Sequence, residues 1–435
     1  MPYLLNILRN YGSREDCIER YLKRRTGWSE ATANSAFCVF QRKKRKLSRR
    51  IADCNTSVMD ESSSAAQQSS SSCTRHDLDH VDHLSFNKRI VFVKRPGENN
   101  FPTADCFHWE ECPAPNQSDV GDGQCIIRTL FLSVDPAQRC RMNRSTGVDY
   151  LEPFEPGELV DGLEGIGVVE MASLRCNFNV GDLVTSVGRL WPWSRLFVAD
   201  HSDLVKVNLP PDYSPSIILS CVGISGMTAL LGIRKKAAID RSRPQTIVVS
   251  GAAGSCGSLA GQIARLDGCT KVIGICGSSE KCAVLLNELG FDGAINYKAE
   301  SVPDRLRYLA PEGIDIYFDN VGGFVSDAVI AQMNRGGRVV LCGQIAVYNT
   351  SLPYPPPLPE KTAEIIAERR IKRERYNVLS YKDDLDSTVA QLSAWLQEKK
   401  LKVKETIYEG LERAPEAFVD MMNGKNIGKM MVKVN

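Results

Sequence analysis

Histidine is scarce: the chain has five in 435 residues, and His76, His80 and His83 crowd into one polar stretch. Only His108 and His201 follow, so a histidine-based triad or metal centre lacks raw material there. The fifteen cysteines are odd in number, scattered, and without a Cys-x-x-Cys pair. This argues against a disulfide framework and for reduced thiols in an intracellular compartment. No run approaches the roughly 18 apolar residues of a membrane span, and the first residues do not read as a secretory signal. Charge of one sign is lacking as well. With 54 basic and 52 acidic residues, no global field draws nucleic acid or an anionic membrane. The expected location is cytoplasmic, with mitochondrial or nuclear as alternatives if the N-terminal stretch is a targeting segment. Such a length holds two or three domains and buries ample core.

Residues 1–85 form a different regime. Gln41 to Arg50 is a dense basic run, and Ser62 to Ser72 is low-complexity Ser/Gln/Ala. A segment of this kind cannot bury enough apolar surface to offset its ordering entropy, so a disordered extension is expected. A nuclear signal, a nucleic-acid patch or an organelle-targeting peptide are the other readings. Cys73, His76, His80 and His83 have zinc-ligand chemistry, yet Asp77, Asp79 and Asp82 surround them and no second half of a finger follows. A polar linker without metal is the expectation.

What is present is a nucleotide-binding pattern. Val248 and Val249 run as an apolar strand into Ser250-Gly251-Ala252-Ala253-Gly254-Ser255-Cys256-Gly257, and a helix opens behind it. Glycines there let backbone approach a pyrophosphate, while unpaired N–H groups and the helix dipole favour the anion. Strands at 246–250, 271–276, 293–297, 314–318 and 338–342 alternate with helices at 279–289, 302–309 and 324–334. This alternation predicts a doubly wound parallel sheet of Rossmann type. The second strand ends Cys276-Gly277-Ser278-Ser279-Glu280-Lys281, with Gly277 where an NAD-preferring site places an acid. Glycine leaves room for a 2′-phosphate and Lys281 brings the counter-charge, so NADPH is the expected cofactor. A solvated surface Lys281 is the alternative.

From about Asn87 the chain is strand-rich, at 89–94, 124–134, 165–171, 182–186 and 204–207, which suggests a partly open β-barrel. After the nucleotide-binding part, a helix at 389–398, a strand at 404–408, a helix at 414–423 and a strand at 429–434 suit a return to that barrel. The expected division is 1–85 extension, 86–212 barrel, 213–382 nucleotide-binding domain and 383–435 return to the barrel.

Several motifs in order carry a resemblance: Leu130 to Pro136 with Arg139-Cys140-Arg141-Met142, Thr146-Gly147-Val148-Asp149-Tyr150, Val249 to Gly254, and Phe318-Asp319-Asn320-Val321-Gly322-Gly323. Leu341 to Ile345, Tyr354-Pro355-Pro356-Pro357-Leu358 and Gly424 to Lys429 complete it. From about Phe86 onward the chain resembles the zinc-independent medium-chain dehydrogenases/reductases, and among them the 15-oxoprostaglandin 13-reductases. The resemblance implies an α/β chain with a GroES-like catalytic barrel, a Rossmann domain, and a monomer or homodimer. Val160 to Gly165 lacks the Gly-His-Glu of the zinc alcohol dehydrogenases, and no structural-zinc cysteine quartet occurs. Reduction of an electron-poor C=C therefore fits better than alcohol oxidation. Such a site needs NADPH, a positioned enone and a donor for the enolate oxygen.

By the same resemblance Tyr348 is the expected donor, and Tyr150 helps hold the substrate carbonyl. Gly254, Ser255, Cys256 and Gly257 would cradle the pyrophosphate, and Lys281 and Tyr297 would meet the 2′-phosphate. Asn320, Cys342, Gly343, Gln344, Ile345, Ala346, Val347, Tyr348, Tyr376, Asn377, Val378 and Asn426 match the remaining cofactor contacts. Arg189, Leu190, Asn377, Val378 and Leu379 would line the substrate pocket. Leu190 and Asn377 depart from the expected tyrosine and apolar residue, and Arg189 either attracts a fatty-acid carboxylate or faces water. Residues 353–359 should be a polyproline II stretch serving as a stiff lid, with an SH3- or WW-type ligand as the alternative. The implied substrate is a small lipid enone. A broader alkenal or quinone reductase, or a non-catalytic NADPH-binding interaction protein, are the alternatives.

Overall fold

In a computed structural model of the protein, the described residues are 86–435 apart from Glu98, Asp149, Tyr150 and Val187. The basic run, the Ser-rich stretch and the Cys73/His76/His80/His83 constellation lie outside them, and so does Tyr150.

Thr246–Ser250 is buried at all five positions, as a strand covered on both faces must be. It pairs in parallel with Lys271–Cys276 on one side and Ile314–Asp319 on the other. The full sheet has six strands, ordered Gly293–Asn296, Lys271–Cys276, Thr246–Ser250, Ile314–Asp319, Met333–Leu341, Lys372–Arg375. Its pairings are parallel throughout. Side chains alternate across it. Ile247 and Val249 join the cluster containing Leu259, Ala260 and Ile263, whereas Val248 joins Ile273, Leu306 and Val329 on the opposite face.

Local chemistry sets the connections. Gly254 starts helix Ser255–Asp267, and Gly268, at φ +118°, ends it in the left-handed region that glycine tolerates. The Ser278 hydroxyl accepts the Lys281 N–H at 3.2 Å and caps helix Ser279–Asn287. One stretch differs from expectation. Helix Gly323–Ile330 stops early and the next strand begins at Met333, not at Arg338. Gly336 (φ +76°) bends that strand, and the ladder shifts register between Ile314 and Ile316. The strand therefore enters the sheet through a glycine irregularity that apolar periodicity does not reveal.

The strand order reverses between Thr246–Ser250 and Ile314–Asp319, which opens a crevice at their carboxyl ends. The turns beginning at Gly251 and at Asn320 face each other there.

The second body is a seven-stranded sheet built on Gln124–Ser133, which pairs with Gly165–Ala172, Leu196–Asp200 and the last strand, Lys429–Lys433. The C-terminus thus returns to the barrel. Its separate core includes Phe92, Phe107, Trp191, Trp193 and Phe418. With the Rossmann sheet, this GroES-like barrel gives the expected α/β architecture. Helical residues 218–237 are long and apolar enough to cross a membrane by composition, but 78% of that window is buried in the fold. It packs against Ser255–Asp267 and Leu385–Gln397 as a core helix.

Candidate active site

The glycine turn is held by close packing. A Cβ at Gly257 would lie 2.4 Å from the Gly251 carbonyl oxygen, and Gly251 itself sits at φ +59°. The Gly428 N–H donates to the Ala253 carbonyl at 2.7 Å, tying the C-terminal segment to this turn. Asn426 stands beside it, donating Nδ2 to the Gly428 carbonyl at 2.8 Å. No side chain caps the helix start at Gly254, and Ser255 Oγ is buried without a hydrogen-bond partner. A helix N-terminus with free donors and an orphaned hydroxyl fits the pyrophosphate of a dinucleotide. Gly257→Ala is expected to push this turn apart and raise the Kd for NADPH at least about tenfold, roughly 1.4 kcal/mol, in a fluorescence titration.

At the end of the neighbouring strand, a Cβ on Gly277 would meet the Tyr297 ring at 3.1 Å and Lys298 Cε at 3.4 Å. Lys281 donates Nζ to the Gly424 carbonyl at 2.7 Å. Burial holds its ammonium below the ordinary lysine pKa; the Cys276 thiol opposes this and Lys298 adds to it. Among the described residues neither Lys281 nor Lys298 has a carboxylate ion-pair partner. Two lysines around a glycine, with no acid paired to them, lack the anion that a 2′-phosphate provides. Lys298 was not anticipated as a site group. It follows Tyr297 directly, but its approach to Gly277 depends on strands pairing across the sheet.

Across the crevice, Asp319 is fully buried and organises the facing loop. Its Oδ1 accepts from the Tyr317 hydroxyl (2.8 Å), Val321 N–H (3.0 Å) and Gly322 N–H (2.9 Å), and Oδ2 from Ser326 (2.8 Å). Asn320 donates Nδ2 to the Ser250 carbonyl at 2.8 Å, locking this loop to the first strand. The Cys342 and Gly343 N–H groups donate to the Asp319 carbonyl at 2.9 and 3.0 Å. They carry the chain into Gln344 and the short 3₁₀ turn Ile345–Val347, of which Ala346 is exposed. Cys342 Sγ is 4.0 Å from Cys256 Sγ at the helix start, so the two loops meet at the floor of the crevice.

Tyr348 closes that turn. Its hydroxyl accepts the Gln344 N–H at 3.3 Å and would lie 3.2 Å from a Cβ at Gly343. Burial, then Tyr354 and the Cys140 thiol, push its phenol well above the ordinary value of 10.0. Tyr348 is therefore a neutral O–H at physiological pH, able to donate. Gln344 is buried with Oε1 unpartnered beside it.

Known proteins resemble this chain in sequence and in fold. The family described as zinc-binding dehydrogenase matches residues 256–380, and one described as the N-terminal domain of oxidoreductase matches 88–207. The chain is 36% identical over 338 residues to prostaglandin reductase 1 of Mus musculus, covering 77% of this chain and 95% of that protein. It is 33% identical over 353 residues to the NADPH-dependent curcumin reductase of Escherichia coli, covering 80% and 97%. The crystal structure of CurA in complex with NADPH from Vibrio vulnificus superposes with TM-score 0.71 at 34% identity, covering 80% of this chain and 99% of that one. The protein belongs to the zinc-independent medium-chain dehydrogenases/reductases. Although one matching family is described as zinc-binding, no group of three or more His, Cys, Asp or Glu among the described residues is placed to hold a metal.

In this reductase the expected pocket residues separate into two sets. Leu379 and the Arg189–Leu190 loop come together, because a Cβ at Gly188 would lie 3.7 Å from Leu379. Leu190 is 39% exposed and Val378 is buried. The Asn377 side-chain Oδ1 accepts the Leu379 N–H at 3.0 Å, a local cap. Tyr376 points into the core, its hydroxyl 3.5 Å from the Met227 carbonyl. Arg189 pairs with Asp203 at 2.8 Å, so its charge is already matched. Tyr354, known from sequence only as part of the proline-rich stretch, packs edge-on against Tyr348 with ring centroids 5.6 Å apart. The proline-rich stretch thereby meets Tyr348 through Tyr354.

Proposed function

We propose that this oxidoreductase uses NADPH to reduce the electron-poor C=C of small enones. Its finer role would be reduction of the 13,14 double bond of 15-keto-prostaglandins, as the resemblance of its motifs to the 15-oxoprostaglandin 13-reductases implies. The observation that carries the reaction class is Tyr348, a partly buried neutral phenol between the dinucleotide cradle and Tyr354. Relatives matched over nearly their whole length are named NADPH-dependent curcumin reductase and prostaglandin reductase 1, which supports this chemistry.

When bound, NADPH would supply the hydride for the β-carbon, and solvent the proton that completes the reduction at the α-carbon. The residues of this chain do the remainder. Gly254 to Gly257 seat the pyrophosphate, with the Ser255 hydroxyl donating to it. Lys281, Tyr297 and Lys298 hold the 2′-phosphate. Asn320, the 342–348 segment, the 376–378 segment and Asn426 complete the cofactor wall. Tyr348 donates its O–H toward the substrate carbonyl oxygen as negative charge collects there, where a preorganised donor stabilises an enolate best. The resemblance gives Tyr150 the same oxygen to hold. Arg189, Leu190 and the 377–379 segment border the acyl part of the substrate.

The test is NADPH oxidation by the full-length protein with 15-keto-prostaglandin E2, an alkenal and a quinone, each product being identified by mass. A gain of two hydrogens on the prostaglandin supports the finer reading, and turnover of the alkenal or quinone alone restricts the protein to the broader class. NADPH binding without turnover of any of the three overturns the enzymatic reading in favour of a non-catalytic binder.

A further inference from the structure

The mouth of the Tyr348 site holds a cation that neither the expected pocket nor the expected cofactor contacts include. Arg375 ends the outermost sheet strand, Lys372–Arg375, immediately before the 376–379 segment. Its side chain is exposed, and its guanidinium lies 4.9 Å from the centroid of the Tyr354 ring. That ring packs on Tyr348 in turn. The three residues make a continuous series from solvent to the proton donor.

The other arginines near the substrate pocket are matched or enclosed. Arg189 is neutralised by Asp203. Arg139 is fully buried, and its donors go to Asn349 Oδ1 (2.7 Å), Asn143 Oδ1 (2.7 Å) and the Asn100 carbonyl (3.0 Å). Next to Arg375, Glu374 is engaged by Lys236 at 3.2 Å. Among the described residues no carboxylate pairs with Arg375. Stacking on a tyrosine face holds a guanidinium in orientation while leaving its forked N–H donors outward, the geometry that takes a carboxylate in two hydrogen bonds.

We infer that Arg375 is a specificity-determining residue that binds the carboxylate of an acidic enone whose carbonyl reaches Tyr348. This rests on the enone-reductase reading and narrows it from enones in general to those with an anionic tail. The pair is solvent-exposed, so its worth is modest and sensitive to salt.

The experiment compares a long-chain enone carboxylic acid with its methyl ester, in the wild type, Arg375→Met and Arg375→Lys. The readout is the ratio of kcat/KM for acid over ester. The wild type is expected to favour the acid about fivefold, mainly through KM, a preference that shrinks at high salt. Arg375→Met should bring the ratio to about one, and Arg375→Lys should recover part of it. A ratio unchanged in Arg375→Met, with both compounds reduced, overturns the role of Arg375. Failure of the wild type to reduce either compound instead overturns the enone-reductase reading on which it rests.

Discussion

Tyr348→Phe is expected to lower kcat about 10²-fold while the Kd for NADPH changes little. In the proposed mechanism, removing this one hydroxyl takes away the donor for the developing enolate, and general acid groups of this kind contribute about 10²–10⁴-fold. The ring would remain packed against Tyr354, so the loop that carries it should keep its place. The pH profile sharpens the test. The acting form is the protonated phenol, and burial raises its pKa above the ordinary value, so activity due to this group persists through neutral pH and falls only in strongly alkaline solution. A kcat unchanged in the phenylalanine variant removes Tyr348 from the mechanism.

The second large effect concerns cofactor choice. Lys281→Ala should raise the KM for NADPH about tenfold and leave that for NADH almost unaltered, because a charge-assisted contact is lost only where a 2′-phosphate exists. Lys298, whose Cε lies 3.4 Å from a Cβ on Gly277 and whose charge acts on Lys281, should soften the loss, so the double variant Lys281→Ala/Lys298→Ala is expected to be worse than either single one. Steady-state kinetics with both nucleotides checks this directly. Equal changes for NADPH and NADH would show that Lys281 acts by shaping the end of the crevice rather than by binding phosphate.

Much of this was legible from local pattern. Five all-buried positions at Thr246–Ser250, glycines at 251, 254 and 257, and a capping serine at 278 are each consequences of short-range chemistry. Period and turn residues specify a strand, a tight turn and a helix start wherever they fall in the fold. The absence of an acid at Gly277 is likewise a one-dimensional observation. The beginning of the strand at Met333 was less legible, because glycine-bent pairing carries no apolar period.

What sequence alone determined, then, is the class of the fold and the dinucleotide cradle, because both arise from residues adjacent in the chain. Which charges face the site was decided only by tertiary structure. Arg189 meets Asp203, fourteen positions on, while Lys298 reaches Gly277 from the turn after the neighbouring strand, Gly293–Asn296. Arg375 meets Tyr354 from beyond the intervening helix Glu360–Glu368, and Tyr354 meets Tyr348. A guanidinium reads the same in sequence whether a carboxylate satisfies it or not. Its electrostatic role depends on partners within a few ångströms, and those are chosen by how the chain packs.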